Sequence, residues 1–396
     1  MPTLFKLFGL ATLLLACAPH AGAQRTDVYL LDVPDYDWAY GCFGTATGNL
    51  AGYWDRNGLP DFYTGPTGGG LAPLNSSGGN AGIQSLWASQ AGVDGRPANR
   101  PGHVDDYWID YDSPLADPYV TAGRAEHTPD CLGDFIGLNQ KRWTRMNGEC
   151  DGNVDGFSFT YWDTNGTRRV NFVPSFAAGK PARDIPSGLQ AWARVRRYDA
   201  AVFSQLTDFN TTLPAGTGFT YEDLKVEINA GYPVLLFLQD FASYSRAVGN
   251  MSQANPEIHG MLAYGYQEDP AYGVRWVYYR TSWASGGLVH SQWDANVWQA
   301  GMPVRGVIGF HPRPKLRSIS RAAGLVTLAW DGPSARLYDT VARTTNYVNS
   351  YQAEWTPGLN PANWQTVGAA VATNRVATFP APASGTAFYR VRLLGQ

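Results

Sequence analysis

The order of apolar and polar positions divides the chain into a mixed first part and a strand-rich last part. Residues 24–41 read as extended: Val28, Leu30 and Val33 space out an apolar face that leads to a turn at Cys42. From Cys42 the period changes. Ala46, Leu50 and Tyr53 or Trp54 recur at helix spacing, with Gly58 as the stop. Gly44, Gly48 and Gly52 fall on one face of that helix. Each Gly costs about 1 kcal/mol relative to Ala in a helix interior, so a bare face predicts another element in close approach. A loop over 59–82 and a short helix near Ile83 to Gln90 follow.

Farther along, residues 186–209 are predicted helical in part, through Leu189, Trp192 and Val195. Thr220 to Gly231 carries a full helix signature, with Thr220 as N-cap, Glu222 and Asp223 in the first turn and Gly231 as stop. Pro233 to Leu238, Ile258 to Tyr266 and Arg275 to Arg280 are apolar runs of strand length, the last two joined by a hairpin through Gln267 to Gly273. Short elements are expected at Trp293 to Trp298 and Val304 to Phe310. His311-Pro312-Arg313-Pro314 reads as a linker. Strands at Leu325 to Trp330, Tyr351 to Trp355, Val376 to Phe379 and Phe388 to Leu393 then predict a small β-sandwich over 313–396. Between Gly92 and about Arg169 no period holds, and that stretch reads as an irregular insertion near a cleft.

Composition narrows the class. Charged residues make up 16% and hydrophobic ones 44%, with a net charge of -3 and no basic run. Nothing in that balance calls for nucleic acid or an anionic membrane surface, and no later run reaches the length of a spanning helix. Residues 1–23 have the form of a signal peptide: Lys6, an apolar core from Leu7 to Ala18, and Ala21-Gly22-Ala23 before Gln24. The expected location is outside the cell. Leu14-Leu15-Ala16-Cys17 also has the form of a bacterial lipoprotein box, which makes a lipid anchor on Cys17 the alternative.

Removal of residues 1–23 leaves Cys42, Cys131 and Cys150. Cys131 and Cys150 lie in one polar stretch and are the natural disulfide pair, so Cys42 is the odd cysteine. A thiol at a helix N-terminus is favoured as thiolate by the unpaired backbone N–H groups, which can also hold an oxyanion. A cysteine nucleophile needs a base. His103 and His127 sit in the insertion, His311 precedes a proline, and His290 ends a short strand. His259 opens an apolar strand that can hold an imidazole rigidly. Asp151-Gly152-Asn153-Val154-Asp155-Gly156 has the oxygen spacing that begins a calcium loop, but Trp162 stands at the twelfth position in place of Glu. A structural calcium and a simple turn both fit.

Residues 31–63 and 256–286 resemble papain-like cysteine peptidases of the C39-like, bacteriocin-processing-like branch. The resemblance rests on Asp32-Val33-Pro34, Trp38, Gly41-Cys42, Thr45 and the Gly52 to Gly58 string, and on His259 with Gly265-Tyr266. It implies an α+β fold, a papain-like domain over 24–312 with the nucleophile helix packed on an antiparallel sheet, followed by the all-β sandwich. That sandwich resembles fibronectin-III-like appendages. The resemblance also implies hydrolysis of peptide bonds through an acyl-enzyme, with a protein or peptide substrate and no required cofactor. In this chain it implies Cys42 as nucleophile and His259 as base and acid. Thr281 of Thr281-Ser282-Trp283-Ala284 stands where the family has an Asn or Asp that orients the imidazole. Tyr36 stands where the family has the Gln of the oxyanion hole. An inactive binding protein and an acyl transferase or amidase are the alternative functions.

Overall fold

The computed structural model describes residues 24–37, 42–63, 71–75, 132–136, 185–208, 218–239, 258–283, 286–293, 303–383 and 385–395. The leader over 1–23, the lipoprotein box at Cys17, the helix near 83–90, the Cys131–Cys150 pair, the calcium loop and nearly all of the insertion lie outside the described residues.

Among the described residues there are fifteen strands and four helices, so the expectation of an α+β papain-like domain is corrected: the chain is mostly β, built from antiparallel sheets. The cause lies in runs whose period was ambiguous or too short to weigh. The helical part of 186–209 is α3 (Ile185–Val195), and the remainder, Ala200–Leu206, forms β2. The minor element expected at 304–310 is β7 (Val304–Pro312), which pairs on both edges in the largest sheet, between β3 and β2.

That sheet has nine strands. Its main path runs from β11 (Thr344–Tyr347) and β10 (Arg336–Asp339) through β1 (Thr26–Leu30), β4 (Ile258–Asp269) and β3 (Val234–Gln239) to β7 and β2. β5 (Val274–Arg280) pairs with β4 and carries β6 (Val289–Gln292). The twelve-residue β4 organises the whole. Along one edge β3 pairs with Ile258 to Ala263 and β1 with Gly265 to Glu268, while β5 pairs along the other edge from Leu262 to Asp269. Gly265 is required where the edge changes partner, because a Cβ there would stand 2.5 Å from the Tyr29 Cβ.

Helix α1 (Cys42–Arg56) is buried at every position except Arg56, so it is a core element rather than an amphipathic one. It ends in a Schellman turn. Gly58 takes φ 109°, and the Leu59 N–H donates to the Trp54 carbonyl at 3.0 Å. Trp54 packs against Tyr53, Tyr232 and Phe310. The close approach expected on the glycine face is explicit at Gly52, where a Cβ would lie 2.6 Å from the Tyr36 hydroxyl and 2.9 Å from Pro34. α2 (Leu132–Phe135) is one short turn against α3. α4 (Tyr221–Asn229) starts with a capping box in which Thr220 and Asp223 bond each other's backbone N–H. No helix among the described residues is long and apolar enough to cross a membrane.

The last part of the chain does two things. β8 (Lys315–Ala322), β9 (Leu325–Asp331) and β14 (Val376–Pro380) form one three-stranded sheet; β12 (Ser350–Thr356), β13 (Gln365–Val371) and β15 (Phe388–Leu394) form another. Val326, Leu328, Trp330, Tyr351, Phe379 and Leu393 fill a core of their own. The intervening hairpin β10–β11 instead extends the large sheet, with Val28, Tyr29 and Leu30 opposite Asp339, Tyr338 and Leu337. Gly332 and Ser334 also donate to the carbonyls of Gly58 and Asn57 at the end of α1. Residues past 312 therefore complete the sheet that α1 packs on.

The face of β4 that meets α1 is fixed by Gly260. Its neighbour across the ladder, Phe237, lies 5.5 Å from the Phe43 ring, and a Cβ on Gly260 would come within 2.5 Å of that ring. Gly260→Ala is expected to destabilise the protein by about 1–3 kcal/mol through overpacking, read as a lower denaturant midpoint. Unchanged stability would show that α1 does not sit this tightly on β4.

Candidate active site

The Thr281-Ser282-Trp283 turn, at the end of β5, is what gives His259 its environment. β5 leaves the ladder opposite Leu262, so the start of β4 has β3 on one edge and this turn on the other. His259 Nε2 lies 2.6 Å from the carbonyl oxygen of Thr281. A carbonyl can only accept, so in this bond Nε2 carries the proton and Nδ1 keeps its lone pair in the neutral ring. The Trp283 indole lies over the imidazole with ring centres 4.0 Å apart and planes within 28°. Trp283 is 43% exposed and His259 only 1%, so the indole is the layer between the imidazole and solvent.

Ser282 makes this arrangement possible at a cost. Its φ of 62° is in the left-handed region, which costs a non-glycine residue of order 1 kcal/mol, and its buried hydroxyl has no hydrogen-bond partner. The kink turns the Thr281 carbonyl and the Trp283 ring toward the same side chain.

Burial lowers the pKa of His259 to about 4; the bond to the Thr281 carbonyl opposes this but is the smaller influence. The ring is therefore neutral near pH 7, in the state a general base requires.

Cys42 is the first residue of α1, buried, with a reduced thiol. Its neighbour Phe43 rests on Gly260, the neighbour of His259, so the two elements touch one residue away from each candidate. Strand alternation turns His259 to the face opposite Gly260.

Thr281 acts on His259 through its main chain. Its hydroxyl accepts instead from the Trp283 N–H at 3.3 Å. Tyr36 is buried, and its hydroxyl donates to the Pro73 carbonyl at 2.7 Å while its N–H donates to Asn49 at 3.0 Å. Desolvation raises the Tyr36 pKa, so the phenol stays protonated. That hydroxyl is committed to the segment over α1.

The other described histidines sit elsewhere. His290 is exposed on β6 and leans on Trp276 at 4.0 Å. His311, at the far end of β7, pairs with the buried Glu227 of α4 at 2.5 Å and lies against Tyr232. Among the described residues no group of three or more His, Cys, Asp or Glu is placed to hold a metal ion.

Sequence reasoning missed the roles of Trp283 and Arg280. The Arg280 guanidinium donates to the Val33 carbonyl at 2.8 Å and the Gly287 carbonyl at 3.0 Å, and it pairs with Asp35 at 3.4 Å. It ties the strand that precedes Thr281 to the segment that leads into α1. An arginine at the end of an apolar strand was the one available signal.

No family model, curated protein or solved structure matches this chain.

The lowered pKa of His259 makes stability depend on pH. Native His259 resists protonation until about pH 4, whereas the unfolded chain takes up that proton near 6.5. The stabilisation is present above pH 6.5 and is lost as the pH falls toward 4, by about 3 kcal/mol at most. Denaturant unfolding across that window is expected to show this loss in the native protein and a flatter profile in His259→Gln. Equal slopes would place His259 in a solvated setting.

Proposed function

We propose that the protein is an exported cysteine hydrolase that cleaves peptide bonds, with Cys42 as nucleophile and His259 as general base and then acid. The observation that carries this reading is the Thr281 carbonyl on Nε2 of His259 under the Trp283 indole. A buried imidazole held in one tautomer, neutral and with its lone pair on Nδ1, is the arrangement of a general base paired with a thiol. The N-terminus of α1 adds its backbone N–H groups, which favour thiolate and a developing oxyanion. In the proposed cycle Nδ1 takes the thiol proton as sulfur attacks the carbonyl carbon. The imidazolium then protonates the leaving amine, and water, deprotonated by the same nitrogen, releases the acyl group. The chemistry needs no metal ion. The likeness of the Cys42 and His259 blocks to C39-like peptidases supports the same assignment.

A second reading, a binding protein without turnover, is favoured by Tyr36. Its hydroxyl is spent on Pro73, so the oxyanion donor that the resemblance implies at this position is replaced by a buried phenol.

The two readings separate in one experiment. Folded protein is treated with iodoacetamide near pH 7, and the adduct is located by mass spectrometry. Rapid labelling of Cys42 that slows by about 10²-fold or more in His259→Ala is expected for a thiol activated by that base. Labelling that is slow and indifferent to His259→Ala would overturn the hydrolase reading.

A further inference from the structure

Strands β4 and β5 fall out of step at Tyr264. Ala263 pairs with Tyr279 and Gly265 with Tyr278, so Tyr264 is a bulge residue with no counterpart on β5. A bulge re-aims the side chains that follow it. Beyond this one, a single row crosses five strands. Tyr338 of β10 stands opposite Tyr29 of β1, and Tyr29 opposite Gly265 of β4. Gly265 stands opposite Tyr278 of β5, and Tyr278 opposite His290 of β6. Residues opposite one another share a face, and at about 4.8 Å per strand the row is about 19 Å long. Gly265 brings no side chain to it, so the Tyr29 and Tyr278 rings meet across the gap, with centres 6.1 Å apart.

A second row lies beside the first, two residues farther along each strand, which is about 7 Å. It consists of Asp27, Gln267, Trp276 and Gln292. The Trp276 indole leans back to the first row, with its centre 4.0 Å from that of the His290 ring. Both rows occupy the α1 face of the sheet, since Tyr278 is two residues before Arg280, which stands opposite Leu262. The helix itself lies along β3, with Phe43 on Phe237 and Trp54 on Tyr232.

The surface that results is part aromatic and part polar. Tyr29, Tyr338, Trp276 and Gln267 are half-buried, while His290 and Gln292 are exposed. Beneath them Tyr278 and Asp27 form a buried floor. Asp27 accepts from the Tyr278 hydroxyl at 2.9 Å, the Gln267 amide at 3.3 Å and the Arg25 guanidinium at 3.1 Å. Arg25 neutralises Asp27, and Arg336, two residues from Tyr338, is paired with Asp32. Flat rings therefore stand next to amide and imidazole groups, with no surplus charge.

That combination selects among partners. A single-stranded nucleic acid stacks on such rings but needs cations for its phosphates, and this chain has a net charge of -3 and no basic run. An apolar protein surface would cover the two amides without giving them partners, at a cost. An uncharged sugar ring suits both rows. Its C–H groups rest against the negative face of an aromatic ring, while its hydroxyls reach the amides of the neighbouring row.

We infer that this face binds an uncharged oligosaccharide, with sugar rings against Tyr338, Tyr29 and Trp276 and hydroxyls bonded to Gln267, Gln292 and His290. The site is independent of Cys42 and His259, and it stands whether or not they cleave a peptide.

The test uses the full chain with cellohexaose, maltohexaose and the hexamer of N-acetylglucosamine, and a short oligothymidylate as the charged comparison. Calorimetry is expected to show binding of at least one hexamer, with the dimer of the same sugar weaker by at least tenfold because it cannot span the row. Tyr338→Ala and His290→Ala, at the two ends of the row, are each expected to weaken the hexamer at least fivefold. Tyr272→Ala, 83% exposed and outside the row, is expected to leave it unchanged. Binding of none of the three hexamers, binding that survives Tyr338→Ala combined with His290→Ala, or tighter binding of the oligothymidylate would overturn the assignment.

Discussion

One buried hydrogen bond, from His259 Nε2 to the main-chain oxygen of Thr281, sets the character of the site. Everything around it serves that contact. β5 stops pairing with β4 early enough to leave the imidazole an open edge, and Ser282 accepts a left-handed backbone so that the carbonyl and the indole converge. Arg280, one residue earlier, holds the turn to the segment before α1. Remove the bond and the ring loses both its fixed tautomer and the one interaction that offsets part of its burial.

The larger constraint is the seating of α1 on the sheet. A helix buried on all sides can be tolerated only where its neighbours are complete, and here completion comes from far along the chain. Gly332 and Ser334 bond the carbonyls at its C-terminal end, and β10 closes the edge of β1. The C-terminal part is therefore tied into the sheet that positions Cys42, even though β8, β9 and β12 to β15 enclose a separate small core.

Much of this was legible in the sequence wherever the signal was local. Cys42 to Gly58 carried helix spacing and its stop, and α1 with its Schellman turn follows that pattern. Thr220, Asp223 and Gly231 announced α4 and both its ends. Apolar runs marked β3, β4, β5, β9, β12, β14 and β15. The fold class was not legible, because it depends on pairing between distant strands. Nothing in Arg336 to Tyr347 indicates that this hairpin joins the N-terminal sheet, and the ambiguous run after Val195 became a strand under tertiary pairing with β7. At the site, Thr281 was visible as a side chain, whereas its carbonyl makes the bond, and a carbonyl leaves no trace in residue identity. The bulge at Tyr264 is invisible for the same reason: register belongs to two strands at once.

The central claim, a neutral imidazole locked with its proton on Nε2, is most directly tested by ¹⁵N NMR of the histidine side chains as a function of pH. His259 is expected to show a protonated Nε2 and an unprotonated Nδ1 at pH 7 and to keep that pattern until the pH approaches 4. A His259 resonance with the proton on Nδ1, or one that titrates near 6.5, would contradict it.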